Sequence, residues 1–164
     1  MLFRSDITVD TNPFEVGMGY DWMVDLAQEA DFLGKEALTR IKAEGPRRML
    51  VGLEIGGEPL GTYNDGSMID AFPVLHEGEV VGKVTSACFS PRLEKNIGLA
   101  LVTAELSALG TAFTVDVGER LGAQLPSGLP PVEAVVVPKP FIDPAKEQPK
   151  ADVAALAGGT AAGG

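Results

Sequence analysis

Residues 82–102 read GKVTSACFSPRLEKNIGLALV. Apolar and polar side chains alternate as far as Ser90, a Ser-Pro step breaks the run, three charged residues follow, and the chain turns apolar again. Period-two alternation describes a strand with one buried face, and a proline cannot donate to a ladder, so the segment predicts two strands joined at a charged corner. At that corner Asn96 is expected to bond local backbone before pairing restarts at Ile97. Arg92 and Lys95 are expected to be solvated corner charges.

Working outward, the same period recurs in MLVGLEI (49–55), FPVL (72–75), EVVGKVTSA (79–87), IGLALV (97–102), TAFTVDV (111–117) and VEAVVV (132–137). These runs are short, rich in Val, Ile, Leu and Phe, and separated by Gly, Pro, Asn and Asp. Six of them within about a hundred residues predict a mainly β protein with a closed or nearly closed antiparallel barrel, because closure removes exposed edges. Before them, DFLGKEALTRIKAEGP (31–46) predicts a helix over 34–43, capped by Asp31 and ended by Gly45-Pro46. Leu33, Ala37 and Ile41 share one face of it, with Leu38 alongside. Residues 1–30 have no sustained period, and 142–164, rich in Ala and Gly, are expected to be a flexible tail.

Composition excludes several classes of function. The chain has 164 residues, 45% hydrophobic and 22% charged, which suits a globular domain with a core. Thirteen basic against 23 acidic residues give a net charge of −10, which repels phosphate backbones and anionic headgroups, so neither nucleic acid nor membrane is an expected partner. No run reaches the roughly 18 apolar residues of a membrane span, and MLFRSDITVD is not a signal peptide, so a cytoplasmic location is expected. Cys88, the one cysteine, is expected to be a buried small hydrophobe. His76, the one histidine, falls in HEGE, which predicts a hairpin turn with Gly78 at positive φ. A single His and a single Cys exclude an ordinary zinc site, and a histidine on a solvated turn argues against a Ser-His-Asp triad. The Gly-rich stretches match neither a dinucleotide fingerprint nor a P-loop.

Five blocks in order carry a resemblance: DTNPFEVGMGY (10–20), DFLGKEAL (31–38), LVGLEI (50–55), VGKVTSACFSPRLEKNIGLALV (81–102) and PKPF (138–141). Together, over 11–141, they resemble the C-terminal part of the aminomethyltransferase family, the T-protein of the glycine cleavage system and its relatives. The resemblance implies a tetrahydrofolate-dependent transferase or demethylase that moves a one-carbon group from a small methyl or aminomethyl donor to folate. TNPFEVGM beside RIKAEGP is similar to the demethylase branch, which includes dimethylsulfoniopropionate demethylase. It also implies a division into the end of a folate-binding domain (1–30), a connecting helix (31–45), the aminomethyltransferase-type β-barrel (46–141) and a tail (142–164).

In that family the catalytic aspartate, a pterin-binding glutamate and an arginine belong to the folate-binding region, and none matches a residue here. The resemblance therefore implies no catalytic residue in this chain and, as partner, a missing N-terminal folate-binding half or subunit. Two residues are implied to touch the tetrahydrofolate: Tyr20, where relatives often carry Trp, and Phe3, near a position that is often Tyr. Glu15 is expected to make a local structural hydrogen bond. The first thirty residues, with Leu2, Phe3, Phe14, Met18, Tyr20 and Trp22, are apolar enough to need a cover. The alternative function is a non-catalytic barrel used for binding or scaffolding. Limited proteolysis should remove the residues beyond Pro149 first and leave the rest intact, and protection of that tail would contradict its assignment.

Overall fold

A computed structural model describes residues 6–60, 72–117 and 130–142. Within them a helix α1 (Lys35–Glu44) precedes strands β1 (Arg48–Ile55), β2 (Phe72–His76), β3 (Glu79–Ser90), β4 (Lys95–Thr103), β5 (Ala112–Val115) and β6 (Val132–Val137), with a 3-10 turn at Ala104–Leu106. The strands close into an antiparallel barrel in the order β1-β4-β3-β2-β5-β6. The predicted mainly β, barrel-like class with a short helix in front of it is what the chain forms. No helix among the described residues is long and apolar enough to cross a membrane.

The opening stretch is the β3–β4 hairpin, paired from Gly82↔Val102 to Ser90↔Lys95. Pairing resumes at Lys95, two residues earlier than the expected Ile97, because the 91–94 turn is tight enough to return the chain at once, with Glu94 at φ 53. The β2–β3 hairpin turns through Glu77 (φ 51) and Gly78 (φ 87). Two successive positive φ values match the right-handed twist of the flanking strands, as expected for HEGE. β1 then closes the ring, pairing with β4 along eight positions and with β6 from Gly52↔Val137 to Ile55↔Ala134.

Inward positions fill the barrel. Leu53, Val74, Val84, Val102 and Val115 are fully buried, and each such side chain contributes about 1.5–3 kcal/mol when removed from water. Glycine makes the coiling possible where strands cross closely. A Cβ on Gly82 would lie 2.3 Å from the Leu101 carbonyl oxygen, and one on Gly98 would lie 2.9 Å from that of Ser86. Between these positions the β3–β4 register shifts at Val84/Ser86, a bulge that bends the long hairpin around the core.

The helix differs from expectation at its start. Asp31 does not cap it; its carboxylate accepts from the Phe32 N–H, and the N-cap is Gly34 at φ 92 with no side-chain bond. A left-handed residue breaks the helical path between Asp31 and Lys35, so the aspartate is one turn too early. Gly45 ends the helix as predicted, at φ 84, its N–H donating to Ile41. No residue of α1 is fully buried and Leu33, ahead of the helix, is fully exposed, so the predicted apolar face is covered only in part, at Leu38 and Ile41, which are half-buried. The tail beyond residue 142 and Phe3 lie outside the described residues.

Gly82→Ala should destabilise the chain by about 3 kcal/mol, because backbone on β4 must move to admit the methyl group. Gly78→Asn, where nothing lies within 4 Å and asparagine tolerates positive φ, should cost less than about 1 kcal/mol. Midpoints of urea unfolding measure both.

Candidate functional site

Two carboxylates latch the N-terminal segment onto the barrel. In Asn12-Pro13-Phe14-Glu15 the Asn12 side chain accepts from the N–H groups of Phe14 (3.1 Å) and Glu15 (3.2 Å), while Glu15 Oε2 accepts from the Asn12 N–H at 3.1 Å. This reciprocal pair is the local bond expected of Glu15. The same carboxylate also takes Nε of Arg48 at 2.9 Å and Nη2 at 3.1 Å, and the Glu15 carbonyl accepts from Leu50 N–H at 2.7 Å. Glu15 is 4% exposed, and its hydrogen bond raises the Arg48 guanidinium above its already high value. The second carboxylate, Asp6, is also buried and accepts from the hydroxyls of Thr85 and Ser86 at the β3 bulge.

The outer side of this segment is bare. Tyr20 is 62% exposed and Trp22 79%; their rings stack with centroids 6.3 Å apart, and Met18 and Met23 are exposed beside them in sequence. Asp21 between them pairs with Lys42 of α1 at 2.7 Å, which lowers the carboxyl below its ordinary value. Tyr20 lines neither groove of the barrel.

A groove of about 660 Å³ runs along the end of the barrel. Its floor follows a row of paired residues across five strands, Phe89↔Asn96, Asn96↔Ile55, Ile55↔Ala134 and Ala134↔Phe113. Paired residues share a face, so this row points inward together. His76 continues it on β2, its ring edge-on to Phe113 at 5.9 Å and its Nδ1 3.2 Å from the Ala112 carbonyl oxygen. Glu54, Glu77, Glu94 and Glu133 form the rim with Lys95.

Asn96 builds one wall. Contrary to expectation its bonds are not local: Oδ1 accepts from Leu60 N–H (2.8 Å), and Nδ2 donates to the carbonyls of Gly56 (3.2 Å) and Glu58 (3.0 Å). The 56–60 segment has no strand partner for these groups, and a 3% exposed amide carries both the donors and the acceptor that it needs. Lys95 is likewise not simply solvated, since it pairs with Glu54 at 2.7 Å across β1 and β4. Cys88 is half-buried rather than in the core, as it lies on the outward face of β3. Arg92 is exposed, as expected. Among the described residues no group of His, Cys, Asp and Glu is placed to hold a metal ion.

The profile of the glycine cleavage T-protein C-terminal barrel domain matches residues 48–143, more than half of the chain. The chain belongs to the glycine cleavage T-protein family. Similar proteins include an aminomethyltransferase of Synechococcus sp. (strain CC9902), 43% identical over 116 residues, or 71% of this chain and 29% of that protein. One from Thermotoga maritima is 42% identical over 141 residues, or 86% of this chain and 33% of that protein. The chain thus spans about a third of the length of these relatives. The fold is that of the glycine cleavage system aminomethyltransferase T from Bartonella henselae, with a TM-score of 0.63 at 24% identity over 84% of this chain and 34% of that one.

Tested against a folate, the described residues of this T-protein barrel do not enclose one. Tyr20 and Trp22 stand on open surface, and a single aromatic face neither buries a pteridine nor satisfies its polar edge. The Glu15–Arg48 latch and the bonds of Asn96 were not legible beforehand, because they join residues 33 to 40 positions apart. Asn96→Ala should cost about 2–3 kcal/mol by stranding the Leu60 N–H and two carbonyls. Asn96→Asp should cost no less, since a carboxylate faces the Gly56 and Glu58 carbonyls without donors. Urea unfolding, with thermolysin cleavage near 56–60, checks both.

Proposed function

We propose that the chain is the C-terminal portion or subunit of a tetrahydrofolate-dependent aminomethyltransferase or demethylase that passes a one-carbon group from a small donor to tetrahydrofolate. The observation that carries this is the segment 6–33, fastened to the barrel by Glu15 and Asp6 while Met18, Tyr20, Trp22, Met23 and Leu33 stay uncovered. Fixing the backbone of such a segment costs conformational entropy, and exposing Trp22, Tyr20 and Met18 to water gives none of it back. The arrangement is economical once a folate-binding half covers it. In that assembly Tyr20 and Phe3 supply apolar walls beside the pterin or aminobenzoyl ring. The catalytic carboxylate comes from the covering half. The finer assignment is to the demethylase branch, supported by TNPFEVGM and RIKAEGP, and the expected location is the cytoplasm.

Co-expression with a folate-binding half tests this. The two should co-purify and together catalyse tetrahydrofolate-dependent transfer, with dimethylsulfoniopropionate and an aminomethyl donor assayed in parallel to separate the branches. The chain alone should be inactive, and calorimetry should find its tetrahydrofolate affinity weaker than about 1 μM. Transfer by the chain alone would overturn the proposal, and a stable but inactive complex would establish the scaffolding alternative.

A further inference from the structure

We propose that the groove at the end of the barrel is a binding site for an organic polycation, a linear polyamine whose methylenes lie on the apolar floor and whose ammonium groups meet the rim. The site is distinct from the aromatic face of the N-terminal segment, and its existence does not depend on folate chemistry.

The chemistry of the lining selects the charge. Among the described residues of the lining Lys95 carries the one ammonium, and it pairs with Glu54 at 2.7 Å. Glu77, Glu94 and Glu133 line the groove and enter no ion pair among the described residues, so three rim carboxylates have no cationic partner there. His76 adds to the same bias. A carbonyl oxygen can only accept, so the 3.2 Å contact with Ala112 puts the ring hydrogen on Nδ1 and leaves Nε2 of the neutral imidazole as an acceptor. Asn96 has both its donors and its acceptor engaged with backbone and offers the groove nothing. What remains is a cavity in which acceptors outnumber donors, the donors of its described side chains being the Thr114 hydroxyl, the His76 Nδ1 and the Lys95 ammonium, and that balance favours a ligand rich in donors and positively charged.

The shape selects the body of the ligand. At about 660 Å³ the groove is of small-molecule size, and Ile55, Phe89 and Phe113 give it an apolar floor between carboxylates that belong to three different parts of the barrel. A compact monovalent amine reaches one rim carboxylate and leaves the floor wet. A linear polyamine repeats short methylene spacers between charges and contacts floor and rim together, with the aromatic faces adding cation–π attraction. Glu77 and Glu94 are the two non-glycine residues at positive φ among the described ones, and both stand on this rim. Glycine or asparagine suits that backbone better, so these turns carry a carboxylate where turn geometry alone does not favour one.

His76 is the sole histidine of the chain and gives one isolated ring signal in a proton spectrum. Titration of the full chain with spermidine at neutral pH and about 0.15 M salt should shift that signal and the amides of Glu77, Glu94 and Phe113 saturably, with a dissociation constant below about 1 mM. The neutral isostere 1,8-octanediol should shift none of them, and n-butylamine should bind at least about tenfold more weakly. The pair Glu77→Gln/Glu133→Gln should weaken spermidine about tenfold or more, whereas Glu36→Gln/Glu44→Gln on α1, which removes the same charge elsewhere, should leave it unchanged. No saturable shift, or equal weakening by both pairs, which would signify diffuse attraction to a chain of net charge −10, would overturn the proposal.

Discussion

Everything in this molecule hangs on β1. It is the strand that closes the barrel, with β4 on one side and β6 on the other, and a six-stranded ring has no interior until that closure is made. Its inward residues Val51, Leu53 and Ile55 are among the most buried of the core. Gly52, between them, faces out and admits Phe141, whose ring a Cβ there would meet at 3.0 Å, so the chain after β6 folds back over β1. Lys139 bonds the Leu50 carbonyl from the same side, and burial pushes its ammonium below its ordinary value.

The two surfaces of interest sit at opposite ends of this strand. Arg48 opens it and holds Glu15, whereas Glu54 and Ile55 end it and enter the groove. At about 3.3 Å per residue, the latch and the groove are roughly 20 Å apart along a rigid, doubly paired element. Two strands join the segment to the groove: β1, through Arg48 and Ile55, and β3, whose Thr85 and Ser86 hold Asp6 while its Phe89 lines the groove. Both ends rely on buried polar groups whose partners are complete: Glu15 and Asp6 at one, Asn96 at the other. Such groups stabilise only as whole sets, which is why loss of a single member is costly.

The sequence by itself determined the period of the strands, both tight hairpins and the end of the helix at Gly45, because these depend on neighbours within a few residues. Alternation over 82–90, a short apolar run over 97–102, a proline at 91 and a glycine at 78 leave little choice of local conformation. The family blocks lie in the same segments. The local bond of Glu15 to Asn12 was legible for the same reason. Tertiary structure alone decided the rest. That Asn96 holds 56–60 rather than its own corner, that Lys95 meets Glu54, that Glu15 also takes Arg48 and that Asp31 misses the helix all depend on where distant segments arrive in space. The groove is the extreme case. Its floor follows the register of five paired strands, and a shift of one residue in any of them would turn that strand's side chains to the other face of the sheet.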